Sequence, residues 1–119
     1  MIASVLITNY NNSKFIDDCI ISLKNQTYSK IEILFHDDGS SDNSLEVIKK
    51  YSDIIIIENK IKTKYGSLNQ LNAFKKMYEL SSGEILFFLD SDDYFHKTKI
   101  YNIIKEFENS EKSQIIFDY

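Results

Sequence analysis

The chain has no arginine, no proline and no tryptophan, a single cysteine and only three glycines among its 119 residues. Without arginine, any contact to phosphate must come from lysine, backbone N–H groups or a bound cation, never from a bidentate guanidinium fork. One cysteine excludes an intramolecular disulfide. Cys19 sits among apolar residues at helical spacing and reads as a buried, reduced thiol. No linker, repeat or low-complexity tract is visible, which leaves one domain. No apolar run approaches the roughly 18 residues of a membrane helix. The short run Ile2 to Ile7 has no basic residue ahead of it and no cleavage-like segment after it, so the expectation is a cytoplasmic protein without signal peptide or membrane span. A net charge of −4 argues against a general nucleic-acid binder.

What is present is a chain of ordinary globular composition, 43% hydrophobic and 27% charged, long enough to bury a core but short for an enzyme that holds two substrates. Apolar runs rich in branched residues alternate with helical patterns. Strands are expected at Ile2–Thr8, Ile31–Phe35, Ile54–Ile57 and Glu84–Leu89, with a closing strand at Gln114–Phe117. Between them, periodicity predicts helices from Ser13 to about Gln26, from about Asp42 to Tyr51, over Leu68–Leu80 with Ser82-Gly83 as its stop, and from about Lys97 to Asn109. Glu58–Ser67, with Lys60, Lys62, Lys64 and Gly66, reads as an exposed loop. The pattern predicts an α/β fold: an open, mainly parallel sheet with helices on both faces, and Ile85–Leu89 as a strand buried on both sides.

That strand ends in Asp90-Ser91-Asp92-Asp93. Three carboxylates gathered in a crevice call for a compensating cation, and a hard divalent ion would take one or two of them and complete its shell with water and phosphate oxygens. The competing reading is a solvated acidic turn that caps the next helix. In a parallel sheet the strand exits share one edge, so Thr8-Asn9-Tyr10-Asn11 and Asp37-Asp38-Gly39-Ser40 should lie beside the acidic triplet. A planar ring could stack near Tyr10 while Asp38 accepts its N–H, and a diphosphate would then reach a cation on the acids. A nucleotide-diphosphate site follows from that convergence. A receiver-like signalling domain would need acids at the first strand exit, and Thr8-Asn9-Tyr10 lacks them.

These three segments, in this order and at these distances, resemble the amino-terminal half of family 2 glycosyltransferases of the GT-A fold: Val5-Leu6-Ile7-Thr8-Asn9-Tyr10-Asn11, Asp37-Asp38-Gly39-Ser40-Ser41-Asp42 and Gly83-Glu84-Ile85-Leu86-Phe87-Phe88-Leu89-Asp90-Ser91-Asp92-Asp93. The likeness covers nearly the whole chain. It implies a Rossmann-like, nucleotide-sugar-binding domain over residues 1–119, with Thr8 and Tyr10 lining the base pocket and Asp38 bonding the base. It also implies that Asp90 and Asp92 act as the ribose, diphosphate and metal contacts of an Asp-x-Asp motif, with Asp93 as a further metal candidate. The implied reaction is an inverting, hexosyl-type transfer from a nucleotide-diphosphate sugar, a UDP-sugar first, to a glycan or lipid-linked acceptor in polysaccharide biosynthesis, with Mg2+ or Mn2+ on the leaving diphosphate.

Several positions depart from the family pattern. Leu71 precedes Asn72 where an Arg-Asn pair is frequent, and Lys62 and Lys64 are substitutes for it or else a solvated lysine loop. His96-Lys97 stands where a proline is common; His96 either approaches the phosphates or simply starts a helix. Family members continue into an acceptor-binding half that supplies the catalytic base. Asp118 is a poor candidate for that role, so the base is expected beyond Tyr119, and the chain is expected to be a donor-binding piece of a longer protein, perched in full length at the inner face of the membrane. The alternative is a non-catalytic nucleotide-binding or interaction domain that retains the fold.

Overall fold

A computed structural model of the protein describes residues 1–61 and 63–110; Lys62, Asp118 and the expected closing strand at Gln114–Phe117 lie outside the described residues. Four strands, β1 (Ala3–Asn9), β2 (Ile31–Asp37), β3 (Ile55–Glu58) and β4 (Ile85–Asp90), alternate with helices α1 (Ser13–Lys24), α2 (Ser44–Ile48), α3 (Gly66–Leu80) and α4 (Lys99–Glu108). Among the described residues every pairing is parallel and the strand order is β3-β2-β1-β4. This is the expected open α/β sheet with helices on both faces.

The two faces are covered unequally. Helices α1, α2 and α4 pack Ile16, Cys19, Ile20, Ile48, Ile100 and Ile104 against Val5, Ile7, Ile33, Phe35, Phe87 and Leu89. On the opposite face, among the described residues, α3 alone sets Ala73 and Met77 over Leu6 and Leu34. A single helix cannot span four strands, and the outer ones show it: Phe88 is 57% exposed and Ile55 39%. The expectation that Ile85–Leu89 is buried on both sides is therefore corrected. β4 is an edge strand among the described residues, its Ile85, Phe87 and Leu89 are buried, and Phe88 on the other face meets the Phe74 ring edge-on at 4.8 Å.

Element ends differ from expectation for identifiable reasons. The helix expected from Asp42 to Tyr51 is α2, five residues long. The Asp42 carboxylate is engaged outside it, accepting from the backbone N–H groups of Ser13 and Ser44 at 3.0 Å each. Beyond Ile48, Lys50 and Tyr51 bond three residues back, to Val47 and Ile48, which tightens the chain into a 3₁₀-type turn. Helix α3 begins two residues earlier than its apolar pattern, at Gly66, and stops at Leu80, where Ser81 turns extended. Gly83 is thus not the helix stop. A Cβ there would lie 2.7 Å from the Ile2 carbonyl oxygen and 2.8 Å from the Ser4 nitrogen, so its smallness serves the close approach of the α3–β4 connection to β1.

The chain winds outward from β1 through β2 to β3, then returns through α3 to β4 on the other flank of β1. Winding direction reverses between β1 and β4, and at such a reversal the carboxyl ends of the strands open a crevice.

Candidate functional site

The register fixes what meets in that crevice. Thr8 pairs with His36 on one side and with Asp90 on the other, so the three form a row across β2, β1 and β4. Strand alternation puts this row on the face of Leu6, Leu34 and α3. Above it, under the amino-terminal half of α3, lies a cavity of about 320 Å³ whose walls include Thr8, Tyr10, His36, Asp38, Asp90 and Asp92. Asn69 and Gln70 of α3 close it from above.

Hydrogen bonds hold the three loops to one another. Thr8 Oγ1 donates to Asp90 Oδ1 at 2.9 Å, and Gln70 Nε2 donates to the same oxygen at 3.1 Å. Beneath them Asn9, 3% exposed, donates from Nδ2 to Asp37 Oδ1 at 2.8 Å and to Ser40 Oγ at 3.2 Å, while its Oδ1 accepts from Ser91 Oγ at 2.7 Å. Asn12 Nδ2 completes the network by donating to Ser91 at 3.2 Å. The first strand exit is thereby bonded to the second through Asp37 and to the fourth through Ser91. Two residues take left-handed backbone angles to make these turns, Asn11 at φ 52° and Gly39 at φ 70°. The Asn11 carbonyl oxygen of the side chain accepts from Ser41 N at 2.8 Å. Asp38 is set by two bonds: its N–H donates to the Asn9 carbonyl and its Oδ1 accepts from Asn59, each at 2.9 Å.

Electrostatics follow from this crowding. Burial pushes the Cys19 thiol up to about 12, with the charges of Asp93 and Asp92 adding to the effect, so Cys19 is an inert neutral thiol below the acidic loop. Burial holds the His36 imidazole below its ordinary value; Asp38 and Asp37 oppose that shift and Lys76 reinforces it. Neither ring nitrogen of His36 has a hydrogen-bond partner, and the residue is 1% exposed.

Five of the expected site residues, Thr8, Tyr10, Asp38, Asp90 and Asp92, line the one cavity. Asp93 does not. It lies exposed outside the wall, with its Oδ1 accepting from the Tyr94 N–H at 2.8 Å. His96 also stays away: its Nδ1 is 3.1 Å from Thr98 Oγ1 ahead of α4, as a helix-start residue would be. Lys64 Nζ lies 5.2 Å from the Tyr65 ring centroid and is not part of the wall. His36, Asn69 and Gln70 went unread in the sequence. His36 had a signal, since it stands two residues after Leu34 at the end of an apolar run and two before Asp38; the α3 residues had none. Among the described residues no group of three His, Cys, Asp or Glu side chains converges to hold an ion unaided. The donor set nevertheless suits a hard divalent cation, with Asp90 and Asp92 offering carboxylate oxygens in a cavity roomy enough for a ligand to supply the remainder.

Comparison with known proteins agrees with this geometry. The profile of the family described as Glycosyl transferase family 2 matches residues 4–119. An Escherichia coli protein, UDP-Glc:alpha-D-GlcNAc-diphosphoundecaprenol beta-1,3-glucosyltransferase WfaP, is 36% identical over 118 residues, covering 99% of this chain and 45% of its own length. Staphylococcus aureus TarS 1-349 in complex with UDP-GlcNAc superposes with a TM-score of 0.78 at 25% identity, covering 92% of this chain and 32% of that one. A Pyrobaculum calidifontis mannosyltransferase in complex with GDP-Man and Mn2+ shares the fold, at a TM-score of 0.76 and 18% identity over 87% of this chain and 31% of that one. The chain spans between 17% and 45% of the length of the curated relatives it matches. Among the described residues no helix is long and apolar enough to cross a membrane.

Proposed function

The chain belongs to glycosyl transferase family 2, and on that premise we infer that residues 1–119 form the part of the enzyme that binds a nucleotide-diphosphate sugar. The observation that carries this reading is the meeting of Thr8, Tyr10, Asp38, Asp90 and Asp92 on one cavity at the reversal point of the sheet. Asp38 accepts the N–H of the base, and the half-exposed Tyr10 offers a ring face for stacking. Thr8 and Gln70 fix Asp90 Oδ1 in place, which leaves the rest of that carboxylate to face ribose and diphosphate.

Asp90 and Asp92 are the residues that would hold Mg2+ or Mn2+, with Asp93 outside the cavity as a reserve ligand. A bound divalent cation supplies neutralisation of the charge that builds on the leaving diphosphate. The Mn2+ held together with GDP-Man by a mannosyltransferase of this fold supports that choice. The sugar is passed with inversion to a glycan or lipid-linked acceptor. In this reading acceptor binding and the catalytic base are supplied by other residues than these, which hold the donor without transferring it.

Isothermal titration with UDP, with and without Mn2+, tests the donor site. The expected result is saturable binding that Mn2+ strengthens. A folded chain that binds UDP under neither condition would sink the reading. A transfer assay with UDP-glucose should show no product from this chain alone; a product would overturn its donor-only role.

A further inference from the structure

The geometry points to His36 as a base-reading residue of this cavity: with Asp38 it forms a donor–acceptor pair that recognises a nucleobase edge carrying a carbonyl next to a ring N–H, the edge of uracil or guanine. The inference rests on the donor-site reading above and adds a residue and a base class to it. His36 is 1% exposed, has neither ring nitrogen bonded, and forms part of the cavity wall. A buried polar ring without partners is costly, and it stands beside a network in which the buried side chains of Asn9, Asp37 and Ser91 are all bonded. A ligand that supplies the missing partner recovers that cost. The second torsion of histidine is soft and two-fold, so a small ring rotation turns a nitrogen toward a bound base.

Placement agrees with the size of a nucleoside. His36, Thr8 and Asp90 stand in one row across three adjacent strands. Two strand spacings separate the ends, roughly 10 Å. That distance accommodates a base edge at His36 and Asp38 with its ribose at Asp90. Burial keeps the imidazole in its neutral form near pH 7, with one N–H donor and one acceptor. The Asp38 carboxylate can only accept while ionised, so the pair offers one donor beside one acceptor. With the ring nitrogen held against Asp38, cytosine and adenine present an acceptor there and an amino donor toward His36, which sets acceptor against acceptor and donor against donor. Arginine, absent from this chain, cannot supply the donor instead.

The test is titration of the wild-type chain and of His36→Leu and His36→Gln with UDP, GDP, CDP and ADP in the presence of Mn2+, followed by the 2-thio and 4-thio analogues of UDP or the 6-thio analogue of GDP, whichever parent binds. Wild type should bind UDP or GDP at least tenfold more tightly than CDP and ADP. One thio analogue should bind about tenfold more weakly than its parent. In His36→Leu the parent should lose about that factor and the penalty for sulfur should vanish, while His36→Gln, which keeps a donor, should recover part of it. Thermal melting guards against a folding defect: His36→Leu removes an unpaired buried polar ring and should melt no lower than wild type. Equal binding of all four diphosphates by wild type, or a sulfur penalty that persists unchanged in His36→Leu, would overturn the assignment while leaving the donor site intact. Failure of wild type to bind any diphosphate would instead remove the site on which it rests.

Discussion

Replacing Asn9 tests whether the three strand exits are one bonded unit. Asn9→Ala removes a hydrogen bond to the Asp37 carboxylate at 2.8 Å and the acceptor of the Ser91 hydroxyl at 2.7 Å. All three residues are buried, so water does not readily replace what is lost. A bond to a carboxylate is worth about 1.5–3 kcal/mol and a neutral one about 0.5–1.5, which gives a loss of about 2–4 kcal/mol. With a urea m-value of about 2 kcal/mol/M, the unfolding midpoint should fall by roughly 1–2 M. Asn9→Asp sharpens the test through its pH dependence. A carboxyl in that position faces Asp37, so its folded pKa lies above its unfolded one. Its share of stability is then fully present below the unfolded value and is lost as pH rises through the folded value. Urea titrations from pH 4 to pH 8 should show the Asp variant closest to wild type at the acidic end. A midpoint for Asn9→Ala within about 0.25 M of wild type, or an Asp variant indifferent to pH, would refute the idea that Asn9 ties the exits together.

Four further outcomes are expected. Asp92→Asn should weaken Mn2+-dependent UDP binding by about 1–3 kcal/mol, the cost of losing a charged ligand, and leave metal-free binding unchanged; an unaltered titration curve takes Asp92 out of the site. Asp38→Ala should weaken UDP binding to a similar extent with or without Mn2+, because the proposed donor site assigns it to the base. Gly83→Ala should destabilise the fold by about 1–3 kcal/mol in thermal or urea unfolding, since the new Cβ meets the Ile2 carbonyl oxygen at 2.7 Å and the Ser4 nitrogen at 2.8 Å. His36 should make stability fall as pH drops below about 6.5: its folded pKa is depressed by burial, so the unfolded chain binds the proton first and unfolding is favoured on the acid side. Over that window the stability difference between wild type and His36→Leu should therefore shift toward the variant, and parallel curves would contradict a buried neutral imidazole.

Much of the fold was legible because strands and helices announce themselves locally. Branched runs such as Val5–Ile7 and Ile33–Phe35 stand at the centre of the sheet as their composition requires, and their polar exits share one edge because parallel strands leave no alternative. Burial of β4 was not legible. Its run of five apolar residues looks the same whether one or two helices cover it, and only the reach of α3 decides that Phe88 faces outward. Gly83 misled for a related reason: a glycine after a helical run is read first as a stop, while its close approach to Ile2 and Ser4 depends on residues some eighty positions earlier.

The site divides along the same line. Thr8, Asp38, Asp90 and Asp92 follow directly on apolar strands, so their position at the edge is settled by the strands themselves. Gln70 and Asn69 reach the cavity only because α3 crosses β1 and β2 at one particular height, with Ala73 and Met77 seated on Leu6 and Leu34. Packing therefore chooses which polar residues of that helix face the crevice, and Gln70 comes to share Asp90 Oδ1 with Thr8. The helix thus carries both the thin second core and one of the groups that orient the central carboxylate. A substitution that shifts α3 along the sheet, such as enlarging Ala73, moves Gln70 from Asp90, so apolar packing on this face and the orientation of the acid are a single structural variable.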